Sequence, residues 1–145
     1  MEVALRPVTR GNVRALCDLR LRPDQHELVA PAAVTIAEAH YEPAALLRAI
    51  YADDDPVGIL LVETEGLVPY LVRFMITEQR QRSGIGRPAV ELLAGELREV
   101  GATELEVSFV PVAGGAEGFW RRCGFTDTGR QNSFGERIFK RQLEP

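Results

Sequence analysis

The stretch Gln81-Arg82-Ser83-Gly84-Ile85-Gly86-Arg87 decides how the rest of the chain is read. Before it, Tyr70–Ile76 is a short apolar run of the length and make-up of a strand. After it, Ala89, Leu93 and Leu97 recur at helical spacing with Val90 and Val100 on the same side, while Glu91, Arg98 and Glu99 face away. That pattern predicts a helix over Arg87–Val100, with Pro88 in the first turn and Gly101 as the stop. Glycines in a strand-to-helix loop remove the β-carbons that would keep a ligand off the backbone. The loop amides then converge on one spot with the positive end of the helix dipole behind them. Arg82, Arg87 and Ser83 add donors, and guanidinium groups suit phosphate oxygens. The stretch therefore reads as a diphosphate site built largely of main chain. The competing reading is that Gly84 and Gly86 only shape a tight turn.

Two familiar phosphate loops fit the stretch less well. A P-loop ends in Gly-Lys-Ser/Thr, which is absent here. Gly84-x-Gly86-x-x-Ala89 mimics a dinucleotide fingerprint, and Glu106 lies about 20 residues further on, where a ribose-binding acid would sit. A Rossmann turn follows its strand almost directly, however, whereas eight residues (Thr77 to Gly84) lead from Ile76 to the first glycine. The next strand, Glu104–Phe109, also alternates, with Leu105, Val107 and Phe109 on one face and Glu104, Glu106 and Ser108 on the other. A parallel strand buried on both faces would be continuously apolar.

Working outward, Val3–Val8 is expected to form a first strand, followed by a helix capped by Thr9 with Val13, Leu16 and Cys17 inward. Thr35-Ile36-Ala37-Glu38 matches a capping box at the start of a short helix that Pro43 ends. Ala45–Ala52 and Val57–Thr64 read as an antiparallel hairpin across Asp53-Asp54-Asp55-Pro56. Gly115–Arg122 reads as a short helix, and Phe125–Thr128 with Arg137–Arg141 as a closing hairpin. The expectation is one α+β domain over residues 1–145, with a mixed, mostly antiparallel, twisted sheet of six to seven strands and about four helices.

Composition bounds the partners. Net charge is −4, which argues against nucleic-acid binding through a basic surface. Cys17 and Cys123 have no neighbour at metal-ligand spacing and read as structural thiols, so no metal is expected. No leader-like or long apolar run is seen, so the expected location is cytoplasmic, with no membrane partner.

Gln81-x-x-Gly84-x-Gly86, following the strand that ends Arg73-Phe74-Met75-Ile76, resembles the pyrophosphate motif Q/R-x-x-G-x-G/A of the GNAT acyltransferases. The later Glu117-Gly118-Phe119-Trp120-Arg121-Arg122-Cys123-Gly124-Phe125 resembles that family's second half. Gln25 to Ala39 is similar to members described as spermine/spermidine-type acetyltransferases. The resemblance implies transfer of an acetyl group from acetyl-CoA, as co-substrate, to a primary amine of a small molecule, extending to polyamine-like acceptors. It implies direct attack in a ternary complex, by a monomer or a homodimer.

It also implies residue roles. Main-chain groups near Phe74, Met75 and Ile76 would hold the pantetheine arm, and Gln81, Arg82, Ser83, Gly84, Ile85, Gly86 and Arg87 the diphosphate. An amide near Met75 or Ile76 would steady the oxyanion. Tyr70 stands where some members carry a catalytic glutamate, and Glu27 lies in the segment that would border the acceptor; these are the candidate catalytic residues. Arg73 joins Glu27 as a candidate acceptor contact, with a cross-strand salt bridge as its other reading. His26 and His40 have no partner at a meaningful spacing. Asp53, Asp54, Asp55, Glu38 and Glu42 would suit a cationic acceptor. The chain departs from the family pattern at Trp120, where many members have the tyrosine acid, and at Ala113, where many have an asparagine. An indole N–H donates a hydrogen bond but gives up no proton near neutral pH. The alternative function is therefore a CoA-binding regulatory or interaction domain without turnover.

Overall fold

Val57–Val62 is apolar except at Gly58 because its strand is buried on both faces, and the other elements are arranged around it. The computed structural model describes residues 1–25, 29–113 and 115–143. In chain order these form β1 (Val3–Arg6), α1 (Val13–Cys17), α2 (Ala32–His40), β2 (Ala45–Ala52), β3 (Asp55–Glu63), β4 (Tyr70–Ile76), α3 (Gly86–Glu99), β5 (Glu104–Phe109), α4 (Glu117–Arg122), β6 (Thr126–Gln131) and β7 (Arg137–Gln142). Single 3₁₀ turns lie at Pro23–Gln25 and Glu78–Arg80. The seven strands make one sheet in the order β1-β2-β3-β4-β5-β7-β6, antiparallel except between β4 and β5.

The sheet has a helical layer on each face. Ala89, Val90, Leu93, Ala94 and Leu97 of α3 pack with Leu60, Val62, Leu71, Leu105, Val107 and Phe139 on one side. On the other, Leu16 of α1 meets Ala49 and Tyr51, and Ala32 of α2 meets Ile59 and Met75. Strand alternation sends neighbouring residues of β3 and β4 to opposite clusters, which is why both strands are apolar nearly throughout. α3 is tied to β7 by Arg141, which donates to Glu91 Oε1 at 2.9 Å and holds the Glu91 carboxyl below its ordinary pKa.

Two expected helix starts are corrected. Thr9 does not cap α1; the cap position is Asn12, whose Oδ1 accepts the Thr9 N–H at 2.8 Å. Thr35 is not a cap either, because α2 already starts at Ala32 and buries Thr35 within it. There its hydroxyl donates to Pro31 O at 3.4 Å instead of to a free amide at a helix start. The closing hairpin is longer than expected, with a register break between Asp127 and Arg130 that keeps β6 paired as far as Gln131.

Candidate active site

The functional geometry starts at the one parallel pair of strands. β4 and β5 are paired only at Tyr70–Glu106 and Leu71–Val107, after which β4 runs on to Ile76 and β5 to Phe109 without meeting. Beside this fork, Leu61 faces Arg73 and Val62 faces Leu71, so Val72 is left over as a bulge that bends β4 away. The fork opens into a cleft of about 990 Å³ lined by Leu71–Phe74 and Ile76 of β4, Val107–Phe109 of β5 and Gln81, Arg82 and Gly84–Arg87 of the loop, whereas Ser83, expected among the diphosphate contacts, does not line it.

Strand alternation settles which main-chain groups look into the cleft. Thr77 N–H donates to Val57 O of β3 at 2.8 Å, so the N–H and C=O of Ile76 and Phe74 point the other way, toward the missing β5 partner. Ile76 O is taken by Gln81 Nε2 at 2.9 Å. What remains is the Phe74 N–H and C=O and the Ile76 N–H, an open strand edge inside the protein. An added extended chain is what such an edge accepts.

The loop supplies a second set of free donors. Among the described residues, none accepts a hydrogen bond from the six consecutive amides Arg82 to Arg87; the first helical bond of α3 is Ala89 N–H to Ile85 O at 3.1 Å. Arg82 and Gly84 hold left-handed φ values of +62° and +78°, which turns the chain so sharply between Gln81 and α3. A left-handed arginine costs about 1 kcal/mol or more and persists only where its surroundings enforce it. Gln81 is part of that enforcement, since Nε2 also donates to Gln25 Oε1 at 2.8 Å and so bridges the end of β4 to the Pro23–Gln25 turn. Arg20 O, which accepts from Thr77 Oγ1 at 3.1 Å and Glu78 N–H at 2.6 Å, holds the same segment beside β4. Arg82, Arg87 and Arg122 line the cleft and, among the described residues, have no ion-pair partner.

The far wall is aromatic. Phe74, Phe119 and Trp120 line it and Phe125 backs Trp120, with ring centroids 5.7, 5.4, 4.9 and 5.3 Å apart in the pairs Phe74–Phe119, Phe74–Trp120, Phe119–Trp120 and Trp120–Phe125. Trp120 is buried at 4% exposure. A β-carbon on Gly86 would lie 2.8 Å from Phe119 Cε1, so this ring fills the space beside the loop that a glycine leaves.

Several expected site residues sit elsewhere. Met75 is buried with Ala32 and Ile59 on the α2 side, and its main chain faces β3, so it does not line the cleft. Ile85 borders the cleft, but its side chain is buried in the α3 cluster. Tyr70 is at the closed end of the fork, paired with Glu63 and Glu106, and is not a lining residue. Glu27, like His26, lies outside the described residues. Arg73 lines the cleft and is ion-paired to Glu38 of α2 at 3.3 Å, a strand-to-helix pair in place of the expected cross-strand bridge. Its Nη1 donates to Val72 O at 3.1 Å, bracing the bulge.

Other lining residues escaped the sequence. Ser108, Glu136, Gln25 and Phe119 are drawn in from β5, the β6–β7 turn, the Pro23–Gln25 turn and α4. Only Ser108 carried a signal, as the uncharged member of the polar face of Glu104–Phe109. Cys123 is buried, and that burial pushes its thiol pKa up. Among the described residues, no group of three or more His, Cys, Asp or Glu is placed to hold a metal, and no helix is long and apolar enough to cross a membrane.

The fold is shared with solved structures along nearly their whole length. The PaiA N-acetyltransferase of Thermoplasma acidophilum in complex with coenzyme A has a TM-score of 0.74 at 11% identity, over 98% of this chain and 99% of that one. An acetyltransferase from Thermus thermophilus gives 0.77 at 20% identity over 98% and 97%. An aminoglycoside 6′-N-acetyltransferase complexed with coenzyme A gives 0.76 at 16% identity over 100% and 98%. At these identities the likeness is one of fold. No curated protein sequence matches the chain significantly. The model of the acetyltransferase (GNAT) family matches residues 10–125. With its forked sheet and amide-lined loop, the chain belongs to the acetyltransferase (GNAT) family of acetyl-CoA-dependent N-acetyltransferases.

Proposed function

We propose that the protein transfers the acetyl group of acetyl-CoA to a primary amine of a small molecule, with both substrates held in the cleft at once. The observation that carries this reading is the row of six amides, Arg82 to Arg87, without an acceptor among the described residues, in a loop whose Arg82, Gly84, Ile85, Gly86 and Arg87 line the same cleft as the free edge of β4. The amides, with Arg82, Arg87 and Arg122 beside them, fit a diphosphate. The Phe74 and Ile76 main chain fits the pantetheine arm, and Phe74 N–H, deepest toward the fork, is the donor available to a carbonyl oxygen. Acetyl-CoA supplies the activated acyl group as a thioester.

On this reading Gln81 acts through the loop, and its side chain touches the end of β4 and Gln25 instead of phosphate. Gln81→Leu, which removes both bonds, is expected to weaken CoA about tenfold with a small drop in Tm, from about 0.5–1.5 kcal/mol per lost hydrogen bond. Titration calorimetry with CoA checks this.

The acceptor enters from the side of Arg22, Asp24, Gln25, Val29 and Ala30. The acidic residues expected to suit a polyamine lie away from the cleft. Asp55 is spent on Arg80 at 2.7 Å, Glu38 on Arg73 at 3.3 Å, and neither they nor Asp53, Asp54 and Glu42 line the cleft. Tyr70 is given no part in the proton transfer, since it lies outside the cleft. A thiol-release assay with acetyl-CoA and spermidine, kanamycin, L-lysine, an alanyl peptide and benzylamine tests the reading; release above background with at least one amine is expected. The second reading, a CoA-binding module, is favoured by Trp120 being locked among phenylalanines with no acid in its place. CoA binding with no release on any amine would establish it instead. Free thiols at Cys17 and Cys123 support a reducing, cytoplasmic setting.

A further inference from the structure

We propose that Ser108 and Glu136 form the proton-accepting pair for the acceptor amine, an assignment that rests on the transferase reading above. Ser108 is the first residue of β5 beyond Val107, the last position paired with β4. It therefore stands at the apex of the fork. Its neighbours Val107 and Phe109 are buried in the α3 cluster, so alternation puts Ser108 on the opposite face, the side from which an acceptor enters. Ser108 Oγ donates to Glu136 Oε1 at 3.1 Å, and Asn132 Nδ2 donates to the same oxygen at 2.7 Å. The turn is locked further by Asn132 Oδ1, which accepts the Glu136 N–H at 2.9 Å. One carboxylate oxygen is thus fixed by two donors, while among the described residues none donates to Oε2.

The surrounding charges leave this carboxylate free. Two described carboxylates line the cleft, Asp24 and Glu136, and Asp24 is paired with Arg22 at 3.2 Å. Near Glu136, Arg130 of β6 is paired with Glu106 of β5, and Arg137 of β7 with Asp127 of β6 and, at 4.0 Å, with Glu117 of α4. Lys140 of β7 is paired with Glu104 at 3.0 Å, and Arg73 of β4 across the cleft with Glu38. Glu136 has no cation partner among the described residues, which suits an arriving ammonium.

The ammonium passes a proton to Ser108 Oγ as Ser108 passes its own to Glu136 Oε1, leaving a neutral amine and a carboxylic acid. The amine nitrogen forms its bond to the thioester carbon, the carbon–sulfur bond breaks, and the second N–H proton leaves with the thiolate as free thiol. Glu136 then returns its proton to water. Ser108 is the catalytic contact; Glu136 positions it and takes the proton.

Wild type, Glu136→Gln and Ser108→Ala are compared as full chains with acetyl-CoA and the five amines named above, from pH 6 to 10. At pH 7, kcat/KM for the amine is expected to fall on the order of 100-fold in E136Q and about tenfold in S108A, where a water can replace the hydroxyl. KM for acetyl-CoA and Tm should hardly move. The E136Q deficit should shrink as pH approaches the amine's own pKa, because the free amine then needs no base. A loss equal at every pH, or a loss accompanied by a large fall in Tm, identifies a brace of the hairpin and overturns the assignment. Unchanged kinetics overturns it while leaving the transferase reading intact. No turnover by wild type on any of the amines removes both.

Discussion

Gly84→Val is expected to weaken CoA binding by at least about 100-fold while the protein still folds. Gly84 has φ +78°, and a β-branched residue there carries strain of about 1–2 kcal/mol. A β-carbon at this position meets nothing within 4 Å, so the free protein suffers no clash. On the proposed reading, a diphosphate occupies that open space to reach the amides of the loop. A valine there blocks the approach and forfeits one or two hydrogen bonds to a charged group, each worth about 1.5–3 kcal/mol. Gly95→Ala is the control, since Gly95 lies inside α3 with open space around it and should be neutral or slightly stabilising. Calorimetry with CoA and thermal melts of both variants separate the effects. Unchanged affinity in Gly84→Val would remove the diphosphate site from this loop.

Trp120→Ala is expected to destabilise the fold by about 3–5 kcal/mol, the cost of emptying a large buried aromatic site. Trp120 touches Phe74 of β4, Phe119 of α4 and Phe125, so it joins the open edge of β4 to the ring that presses on Gly86. The loss therefore also loosens the cleft wall, and CoA affinity falls with stability. Urea unfolding of wild type, Trp120→Ala and Trp120→Phe reports the first effect, and CoA titration the second. Trp120→Phe keeps most of the apolar volume and should retain turnover within about threefold, because the indole N–H has no hydrogen-bond partner among the described residues. A turnover loss in Trp120→Phe much larger than its stability loss would give the indole a chemical role.

Much of this was legible in order along the chain. The strict alternation of Glu104–Phe109, the spacing of Ala89, Leu93 and Leu97 and the glycines at 84 and 86 are each encoded within a few residues. Each of them reappears in the fold at nearly the expected bounds. The misreadings arise where side-chain chemistry competes with context. Thr35 has the chemistry of a cap but sits inside α2, because the apolar contacts of Ala32 start the helix earlier. Met75 groups with Phe74 and Ile76 by adjacency, yet the two-residue period of a strand sends it to the opposite cluster and to β3.

Contiguous sequence by itself determined most of the elements, the class of fold and the glycine loop between β4 and α3, because periodicity and turn chemistry act over a few residues. Only the tertiary structure decided how those parts meet. The fork exists because β4 and β5, joined through α3, lie side by side for just two pairs before the Val72 bulge turns one away. Gln25 reaches Gln81 across 56 positions and Ser108 reaches Glu136 across 28, pairings set by sheet order and strand twist that leave no mark in local sequence.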